Sequence, residues 1–285
     1  MRPLLIFLVC VGIPVLLHGH PGEGIVENSK GEIFFTDLKQ VWKITTRGEL
    51  KLAVPGVHTH ELFLDADDNL FGEHLWYNGE ARNTWGHYVW QLSAEGTLSK
   101  VIPDTEGFLE NYSFVRDHHG RMYWADRSTG CQKVARLNAD KTITKLGNRC
   151  LHNIRSLSML PDGSVLLVDF QDLKKIDPLG NVQTVAAQIA DKKWKSSSAD
   201  NQNSVMGIWS DKKGNLYAAV SSASVVKRFG ANTDGEIIYR SSLPWAPSGG
   251  LVDSRDRLWV LEYNPFNAVR VVCVRSSQEK QIFTP

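Results

Sequence analysis

Histidine and carboxylate side chains that could carry out chemistry are concentrated in one short segment, HTHELFLDADDNLFGEH, at 58–74. The segment contains His58, His60, Glu61, Glu73 and His74. Neutral imidazole nitrogens and carboxylate oxygens are common ligands of Zn²⁺ and other divalent cations. Histidine also exchanges protons near neutral pH. The segment therefore predicts a metal site or an acid–base site, and a hydrogen-bonded histidine pair without chemistry is the alternative.

The sequence lacks the short motifs of several other chemistries. It has no G-x-S-x-G nucleophile elbow, no H-E-x-x-H or C-x-x-C pattern and no glycine-rich phosphate loop. Its 32 basic residues balance 31 acidic residues, and no long run of like charge occurs. Because nucleic-acid binding depends on clustered Lys and Arg, we expect no nucleic-acid partner.

A phrase made of a turn pair, an apolar strand and usually a final acid recurs six times along the chain. The copies are GEIFFTD, DNLFGEH, GRMYWAD, GSVLLVD, GNLYAAV and DRLWVLE. Successive copies are 37 to 52 residues apart, which is typical of a repeated four-stranded unit. The sequence therefore predicts an all-β fold, a six-bladed β-propeller with four-stranded antiparallel blades around a central channel, over residues 20–285.

Three insertions lengthen this repeat, at 75–86, 104–110 and 190–203. Each falls between the second and third strands of a unit or between two units. Because strands within a blade alternate in direction, all these connections lie on one face of a propeller, called the loop-bearing face below. Loops that vary on a rigid scaffold commonly carry binding residues. We therefore expect the functional site on this face.

Two sets of equivalent residues are predicted to surround the channel at the loop-bearing face. The first-strand ring contains the residues at the start of each first strand: Glu23, His60, Tyr112, Arg155, Met206 and Ser248. The second-strand ring contains the residues at the end of each second strand: Asp37, His74, Asp126, Asp169, Val220 and Glu262. Most of these side chains are ionisable or polar, which predicts a polar channel mouth.

His60 and His74 fall in the two rings of the same blade, so their side chains are expected to approach one another. We predict that they bind a divalent cation, which could be Zn²⁺, Ca²⁺ or Mg²⁺, and leave a position open for water or substrate. The candidate carboxylate ligands are Glu23, Asp37 and Asp126, with Glu73 as an alternative.

Arg155 is the third predicted catalytic residue, because its guanidinium could clamp a substrate carboxylate or phosphate. Alternatively, it neutralises Asp126 and Asp169. The side chains predicted to contact substrate are Tyr112, Asp169, Glu262, Trp76 and Trp85. The two tryptophans could instead form a small core within their loop. For Asp37, Asp126 and Asp169, the alternative role is to accept hydrogen bonds from backbone amides of the next blade.

The six phrases resemble those of NHL-repeat and gluconolactonase (regucalcin-like) propellers, and GRMYWAD also resembles the YWTD propellers. In gluconolactonase-like enzymes a first-blade Glu, with Asn or Asp from later blades, holds a divalent cation. Glu23, followed by Gly24, resembles that Glu, but Arg155 and Met206 stand where the Asn and Asp would be needed. In the related streptogramin lyase type, His and Glu residues hold the cation, and His60 and His74 resemble that arrangement.

Residues 1–19 are predicted to be a signal peptide, because Arg2 precedes a short apolar stretch at 3–17. The stretch is too short for a comfortable membrane span. Secretion or a periplasmic location follows, and the alternative is an apolar strand that joins the first or last blade. Cys131 and Cys150 could form a disulfide in an oxidising compartment, or stay buried thiols.

The sequence favours a secreted or periplasmic, monomeric enzyme. Its predicted reaction is metal-assisted hydrolysis or elimination on a small lactone-like, ester-like or sugar-like substrate. The alternative is a non-catalytic, NHL-like propeller that binds a protein or glycan through the loop-bearing face. Since fold does not fix function, the site must decide between them.

Overall fold

The computed structural model describes residues 21–109, 111–190, 204–230, 235–275 and 279–285. Each blade is one antiparallel sheet, and six such sheets follow one another along the chain. Blade 1 contains β1 (Ile25–Glu27), β2 (Ile33–Thr36), β3 (Val41–Ile44) and β4 (Leu50–Val54). Blade 2 contains β5 (Leu62–Leu64), β6 (Leu70–Tyr77), β7 (Trp85–Leu92) and β8 (Leu98–Glu106). Blade 3 contains β9 (Tyr123–Asp126), β10 (Gln132–Leu137) and β11 (Ile143–Leu151).

The other three blades each have four strands in sequential order. Blade 4 contains β12 (Ile154–Met159), β13 (Val165–Asp169), β14 (Asp172–Ile176) and β15 (Val182–Ala186). Blade 5 contains β16 (Ile208–Ser210), β17 (Leu216–Val220), β18 (Val225–Phe229) and β19 (Glu236–Arg240), with a 3₁₀ turn at Ser221–Ala223. Blade 6 contains β20 (Ala246–Val252), β21 (Leu258–Tyr263), β22 (Val269–Val274) and β23 (Lys280–Phe283). The predicted six-bladed propeller is confirmed.

Blade 3 departs from the four-strand prediction. Its first strand is reduced to one bridge between Arg116 and Met122. The Ser113 hydroxyl accepts a hydrogen bond from the Val115 N–H at 2.9 Å. Such local bonds from a serine side chain compete with the strand ladder, which accounts for the short first strand.

A carboxylate or amide oxygen fixes the turn between the first two strands in five blades. Each accepts hydrogen bonds from the backbone N–H groups two and four residues later, as Asp253 does from Arg255 and Arg257 at 2.9 and 2.8 Å. The equivalent residues are Asn28, Asp65, Asp117 and Asp211. These side chains replace water on turn amides and favour the tight turn. In these five blades the acidic or amide residue stands three positions before the repeated phrase, and in blade 4 that position is Leu160.

The ring closes between blade 6 and blade 1 through contacts of the chain with itself. Strand β23 pairs with β22 and completes blade 6. It contains Lys280 and the first three residues of the C-terminal segment QIFTP. The Ser248 hydroxyl donates to the Gly22 carbonyl at 2.7 Å. Residues of both blades share one apolar core, in which Phe35 of blade 1 packs with Trp259 and Phe283 of blade 6.

The predicted insertion at 75–86 is mostly a longer hairpin. Strands β6 and β7 stay paired as far as Tyr77 and Trp85, so the connecting loop is short. The predicted insertion at 104–110 likewise begins inside β8. Residues 1–19 and 191–203, which carry the predicted signal peptide and most of the third insertion, lie outside the described residues.

Two further features concern the chain as a whole. Cys131 and Cys150 form a disulfide in blade 3, with their Cα atoms 4.9 Å apart. Within the described ranges, no helix is long and apolar enough to cross a membrane.

Close backbone approach at the channel requires glycine at two first strands. The N–H of Gly24 donates to the His60 carbonyl at 2.9 Å, and the N–H of Gly207 donates to the Ser248 carbonyl at 2.8 Å. A Cβ built on Gly249 would lie 2.4 Å from the Glu23 carbonyl oxygen. Neighbouring first strands therefore touch through their backbones at these glycines, where a Cβ would meet atoms of the next strand.

We predict that Gly249→Ala destabilises the propeller by about 1–3 kcal/mol, since overpacking against rigid backbone has this typical cost. Thermal unfolding measures the effect. Gly130→Ala is the matched control, because a Cβ there meets nothing within 4 Å. Equal melting temperatures for the two variants would contradict the proposed tight contact between blades 6 and 1.

Candidate functional site

The central channel forms a cavity of about 770 Å³. Its wall is built from the first strands of all the blades and from the second strand of some. The first-strand ring residues precede equivalent strand pairs in their six blades, and the strand register shifts between Ile154 and Leu157 in blade 4 and between Pro247 and Gly249 in blade 6. Glu23, Tyr112 and Arg155 of that ring line the cavity.

The second-strand ring is occupied by structural pairs. Asp37 accepts hydrogen bonds from the N–H groups of Lys39 and Gln40 and from the Trp42 indole, each at 2.8 Å. Asp126 pairs with Lys145 at 2.6 Å. These contacts lie within one blade. The sequence analysis had instead considered hydrogen bonds from these aspartates to backbone amides of the next blade. They follow from the tight turn after the second strand, which brings its own amides to the carboxylate.

Asp169 and Glu262 are similarly engaged. Asp169 accepts from the N–H groups of His152 and Asn153 at 3.0 and 2.8 Å and pairs with Lys174 at 2.6 Å. The buried Glu262 binds Arg270 and Tyr239 at 2.6 and 2.8 Å. The Asp169 contacts stabilise blade 4, and the Tyr239 bond joins Glu262 of blade 6 to blade 5.

His60 and His74 are held by different groups. His74 accepts a hydrogen bond at Nδ1 from the His58 N–H at 3.0 Å and stacks on Tyr88, with ring centroids 4.8 Å apart. His60 Nδ1 lies 3.5 Å from an oxygen of Glu73. Burial lowers the pKa of His74, which keeps its ring neutral at pH 7. The cavity wall includes Glu73 but neither histidine.

The donor set for a divalent cation is incomplete in the part of the chain that the structure describes. There, no group of three or more His, Cys, Asp or Glu side chains is arranged to hold a metal ion. At the two positions where the resemblance required Asn and Asp, Arg155 is a cation and Met206 is apolar. The residues present therefore do not fit the expected cation site.

The predicted tryptophans form local contacts. Trp85 contacts Phe108, with ring centroids 4.0 Å apart and the ring planes tilted by 47°, and the two side chains stay 39% and 65% exposed. Trp76 lies against Gly86, where an added Cβ would be 2.4 Å from its ring. The indole N–H of Trp76 is buried and has no hydrogen-bond partner. Trp76 therefore packs within the hairpin of β6 and β7, whereas Trp85 and Phe108 form an exposed aromatic pair.

Glu61 lines the cavity, although the sequence placed it in neither ring, and Arg116 and Arg127 line it without having been predicted. Glu61 follows His60 and belongs to a second set of equivalent first-strand positions, called the inner ring here: Gly24, Glu61, Ser113, Ser156, Gly207 and Gly249. All six line the cavity. Five of them are glycine or serine. Aligning the six repeats at this position, one residue after the first-strand ring, would have identified Glu61 as the exception.

Glu23 reaches across the channel from blade 1. Its Oε2 accepts a hydrogen bond from the Ser156 hydroxyl of blade 4 at 3.3 Å. Burial raises the pKa of Glu23 to about 8, and repulsion from Glu61 adds to the shift. A carboxyl group with this pKa keeps its proton at neutral pH and can donate it.

Glu61 lines the same cavity as Glu23, and its raised pKa is lower than that of Glu23. The Glu61 residue is exposed in the channel, yet desolvation by the surrounding protein raises the pKa of its carboxyl group to about 7. Repulsion from Glu73 is the next cause. His60, the Phe114 amide and Arg116 act in the opposite direction. Because Glu23 and Glu61 repel one another, the pair retains one proton between them over the neutral range.

Two guanidinium groups flank Glu61. Arg116 lies 5.4 Å from the Tyr112 ring and 5.9 Å from the Phe63 ring, and it donates to the carbonyls of Ser113 and Val115. Arg127 donates to the Ile154 carbonyl at 2.7 Å. Both are drawn electrostatically to Glu61. The site thus has a proton donor, a proton acceptor and fixed positive charge around one cavity.

Comparison with known proteins places the fold. No protein-family model and no curated protein matches the sequence. A gluconolactonase from Xanthomonas campestris is 14% identical with a TM-score of 0.56, over 92% of this chain and 85% of that one. A streptogramin B lyase is 14% identical with a TM-score of 0.53, over 92% and 82%. A glucose dehydrogenase is 12% identical with a TM-score of 0.58, over 90% and 96%. The chain shares the fold of these propellers.

We predict that Glu23→Gln stabilises the protein above pH 7. A buried acid with a raised pKa favours folding while it is protonated, so stability falls as pH rises from about 4.5 to about 8. The substitution removes that loss and should gain about 1–3 kcal/mol at pH 8.5, less than the full shift because channel water hydrates the group.

Urea unfolding between pH 5 and 9 measures the effect. Glu80→Gln, on the exposed hairpin loop of blade 2, is the control for removing one carboxylate from the surface. A wild type and a Glu23→Gln variant with parallel stability curves over this range would show that Glu23 is not a buried, proton-binding group.

Proposed function

We propose that the protein is a hydrolase or lyase that binds a small lactone-like, ester-like or sugar-like molecule in the central channel. The observation that carries the proposal is the Glu23 and Glu61 pair. Two carboxyl groups with unequal, raised pKa values share one cavity and take up and release protons near neutral pH. Perturbed acids in a cleft are typical of catalytic sites.

In a hydrolysis, ionised Glu61 takes a proton from water while the water oxygen bonds to the carbonyl carbon of the substrate. The bond from that carbon to the leaving oxygen breaks, and Glu23 gives its proton to this oxygen. Arg116 and Arg127 stabilise the negative charge that develops on the carbonyl oxygen. Solvent then takes the proton from Glu61 and returns one to Glu23.

In a lyase reaction the same two groups have matching roles. Glu61 removes a proton from carbon, the electron pair forms the new double bond, and Glu23 protonates the departing oxygen. Both schemes use the same proton balance at the same two atoms. The streptogramin B lyase and the gluconolactonase of the same fold support this choice of reaction classes by analogy alone.

Divalent-metal dependence, with His60 and His74 as ligands, remains a separate hypothesis. The described donor set does not fit it, and no step above passes through a metal ion. His60 has a role in the present scheme through Glu73, whose charge in turn raises the pKa of Glu61.

A non-catalytic function has one specific observation in its favour. The loop-bearing face exposes large apolar side chains at its rim: Tyr77, Trp85, Phe108, Phe170, Leu243 and Phe266. Exposed aromatic groups of this kind stack on sugars and anchor protein partners. A propeller that binds a glycan or protein there is the second candidate function.

We predict that Glu61→Gln lowers kcat/KM by about 10²–10⁴-fold, the usual contribution of a general base. The assay uses the purified full chain with a panel of γ- and δ-lactones and aryl esters. We expect the same loss for Glu23→Gln, no change for Glu80→Gln, and a rate optimum between about pH 7 and 8, where Glu61 is ionised and Glu23 is protonated.

Two outcomes would replace this proposal. Turnover that disappears in EDTA and returns with Zn²⁺, Ca²⁺ or Mg²⁺ would favour the metal-dependent scheme. No turnover of any substrate, together with binding to immobilised glycans or proteins that Trp85→Ser removes, would favour the second candidate function.

Export is part of the proposal, supported by the apolar stretch at 3–17 and by the Cys131–Cys150 disulfide. We predict that the full chain, expressed in a bacterium with a periplasm, is recovered there without its first 19 or so residues. Intact mass of the fractionated protein measures this. Recovery of the uncleaved chain from the cytoplasm would contradict it.

A further inference from the structure

Asn111 begins the tripeptide Asn-Tyr-Ser at 111–113, which is an acceptor motif for N-linked glycosylation. In the whole sequence it is the only asparagine that serine or threonine follows two positions later. It lies in the connection from β8 of blade 2 to β9 of blade 3, and the residue is exposed. Its backbone φ is 57°, in the left-handed region that asparagine tolerates in turns. The motif therefore stands on an exposed turn, where a glycan can be attached without disturbing the core.

The side-chain amide of Asn111 has a fixed orientation. The Trp124 indole donates a hydrogen bond to Asn111 Oδ1 at 3.1 Å. Because an indole N–H is a donor only, the amide oxygen faces the indole. Within the described ranges, Asn111 Nδ2 donates no hydrogen bond to the protein. N-glycosylation links a sugar to this nitrogen, so the reacting atom is available.

An exposed aromatic pair lies close to this asparagine along the chain. Phe108 is three residues before Asn111, and three residues of chain span at most about 11 Å. The Phe108 ring contacts the Trp85 ring, and both side chains remain exposed. The apolar face of a sugar ring packs on an aromatic ring and removes both surfaces from water. A glycan on Asn111 is therefore within reach of a surface suited to its first sugars.

The buried side chain of His87 holds this aromatic surface in place. His87 Nδ1 donates to the Gly107 carbonyl at 2.7 Å, and its Nε2 accepts from the Leu109 N–H at 3.1 Å. The N–H of Gly107 also donates to the Trp85 carbonyl at 2.8 Å. Both neighbours of Phe108 are thus bonded to blade 2. A rigid surface binds a sugar at low entropic cost, because no segment has to be ordered first.

The Cys131–Cys150 disulfide bears on the compartment in which the chain folds. It lies in blade 3, the blade that follows Asn111 in the chain. Disulfides form and persist in oxidising compartments, which include the lumen of the endoplasmic reticulum. N-glycosylation of exported proteins takes place in the same lumen. The disulfide and the acceptor motif therefore agree on one environment.

We propose that Asn111 carries an N-linked glycan whose first sugars pack on Phe108 and Trp85. The oligosaccharide comes from a lipid-linked diphosphate donor. Asn111 Nδ2 bonds to the anomeric carbon and loses one proton, the bond from that carbon to the phosphate oxygen breaks, and the lipid diphosphate leaves.

This inference rests on the export part of the proposed function and is independent of the proposed reaction. It also bears on the second candidate function. A glycan that covers Phe108 and Trp85 leaves this part of the loop-bearing face unavailable to a protein partner.

The test expresses the full chain in cultured animal cells and measures the intact mass of the secreted protein before and after digestion with a peptide N-glycosidase. We expect wild type to carry one N-glycan, which the digestion removes. Asn111→Asp should carry none, although aspartate keeps an oxygen for the Trp124 indole and tolerates the left-handed backbone. Asn78→Asp, on the exposed blade 2 loop outside any acceptor motif, is the control and should keep the glycan. Secreted wild type without a glycan, or the same glycan mass on Asn111→Asp, would overturn the inference.

A second form of the full chain, with a well-characterised signal sequence added before Met1, separates this result from export. If wild type stays in the cell and the added signal yields a glycosylated protein, the export proposal fails and the glycan site stands. If wild type is secreted under its own N-terminus without a glycan, export stands and the glycan site fails.

Thermal unfolding tests the contact between the glycan and the aromatic pair. We expect glycosylated wild type to melt about 2 °C or more above its digested form, the shift that a contact of modest strength causes in a chain of this size. Phe108→Ser should remove this difference. Phe266→Ser, which removes an exposed aromatic side chain from blade 6, should preserve it. Equal melting temperatures of glycosylated and digested wild type would show that the glycan does not pack on this pair.

Discussion

The rest of the structure depends on how closely six first strands can approach one axis. Each strand begins beside its neighbours, and backbone atoms meet there directly, as the 2.8 Å bond from the Gly207 N–H to the Ser248 carbonyl shows. Small residues are required where backbones touch. The inner ring meets this requirement with glycine or serine in five blades. The remaining blade, blade 2, has Glu61 at this position. It is the one inner-ring residue that is neither glycine nor serine.

The Glu61 side chain places a carboxylate at the inner ring, where the other blades have only glycine or serine. Because the inner ring is otherwise small, the cavity has room for the Glu61 carboxylate and for the side chain of Glu23, which crosses to Ser156. Acids enter from blades 1 and 2, whereas Arg116, Arg127 and Arg155 enter from blades 3 and 4. The channel is therefore polarised across its width. A polarised cavity orients a polar ligand and the charge that develops on it during a reaction.

The repeat allowed the fold and the ring positions to be predicted, because strand pairing and turn chemistry are local and recur in every unit. Glu23, Tyr112 and Arg155 were found in this way. The register alone could not say which way a side chain points at a strand start, and so His60 was favoured over Glu61. The partner of each acid could not be predicted either, since Lys145 and Lys174 pair with Asp126 and Asp169 from other strands of the same blade.

The energetic cost of the Glu23 and Glu61 pair is itself an argument for function. Both carboxyl groups resist ionisation in the channel, so the folded state is less stable at neutral pH than it would be with uncharged side chains there. Glycine and serine at the inner ring of the other blades show that the fold does not need an acid at this level. By contrast, Asp37 and Asp169 each satisfy several donors within their own blades, and Glu262 of blade 6 binds Arg270 of its own blade and Tyr239 of blade 5. Strained or destabilising groups that serve no packing role are concentrated at functional sites. By this criterion the acids that distinguish the channel are Glu23 and Glu61, and the second-strand acids belong to the scaffold.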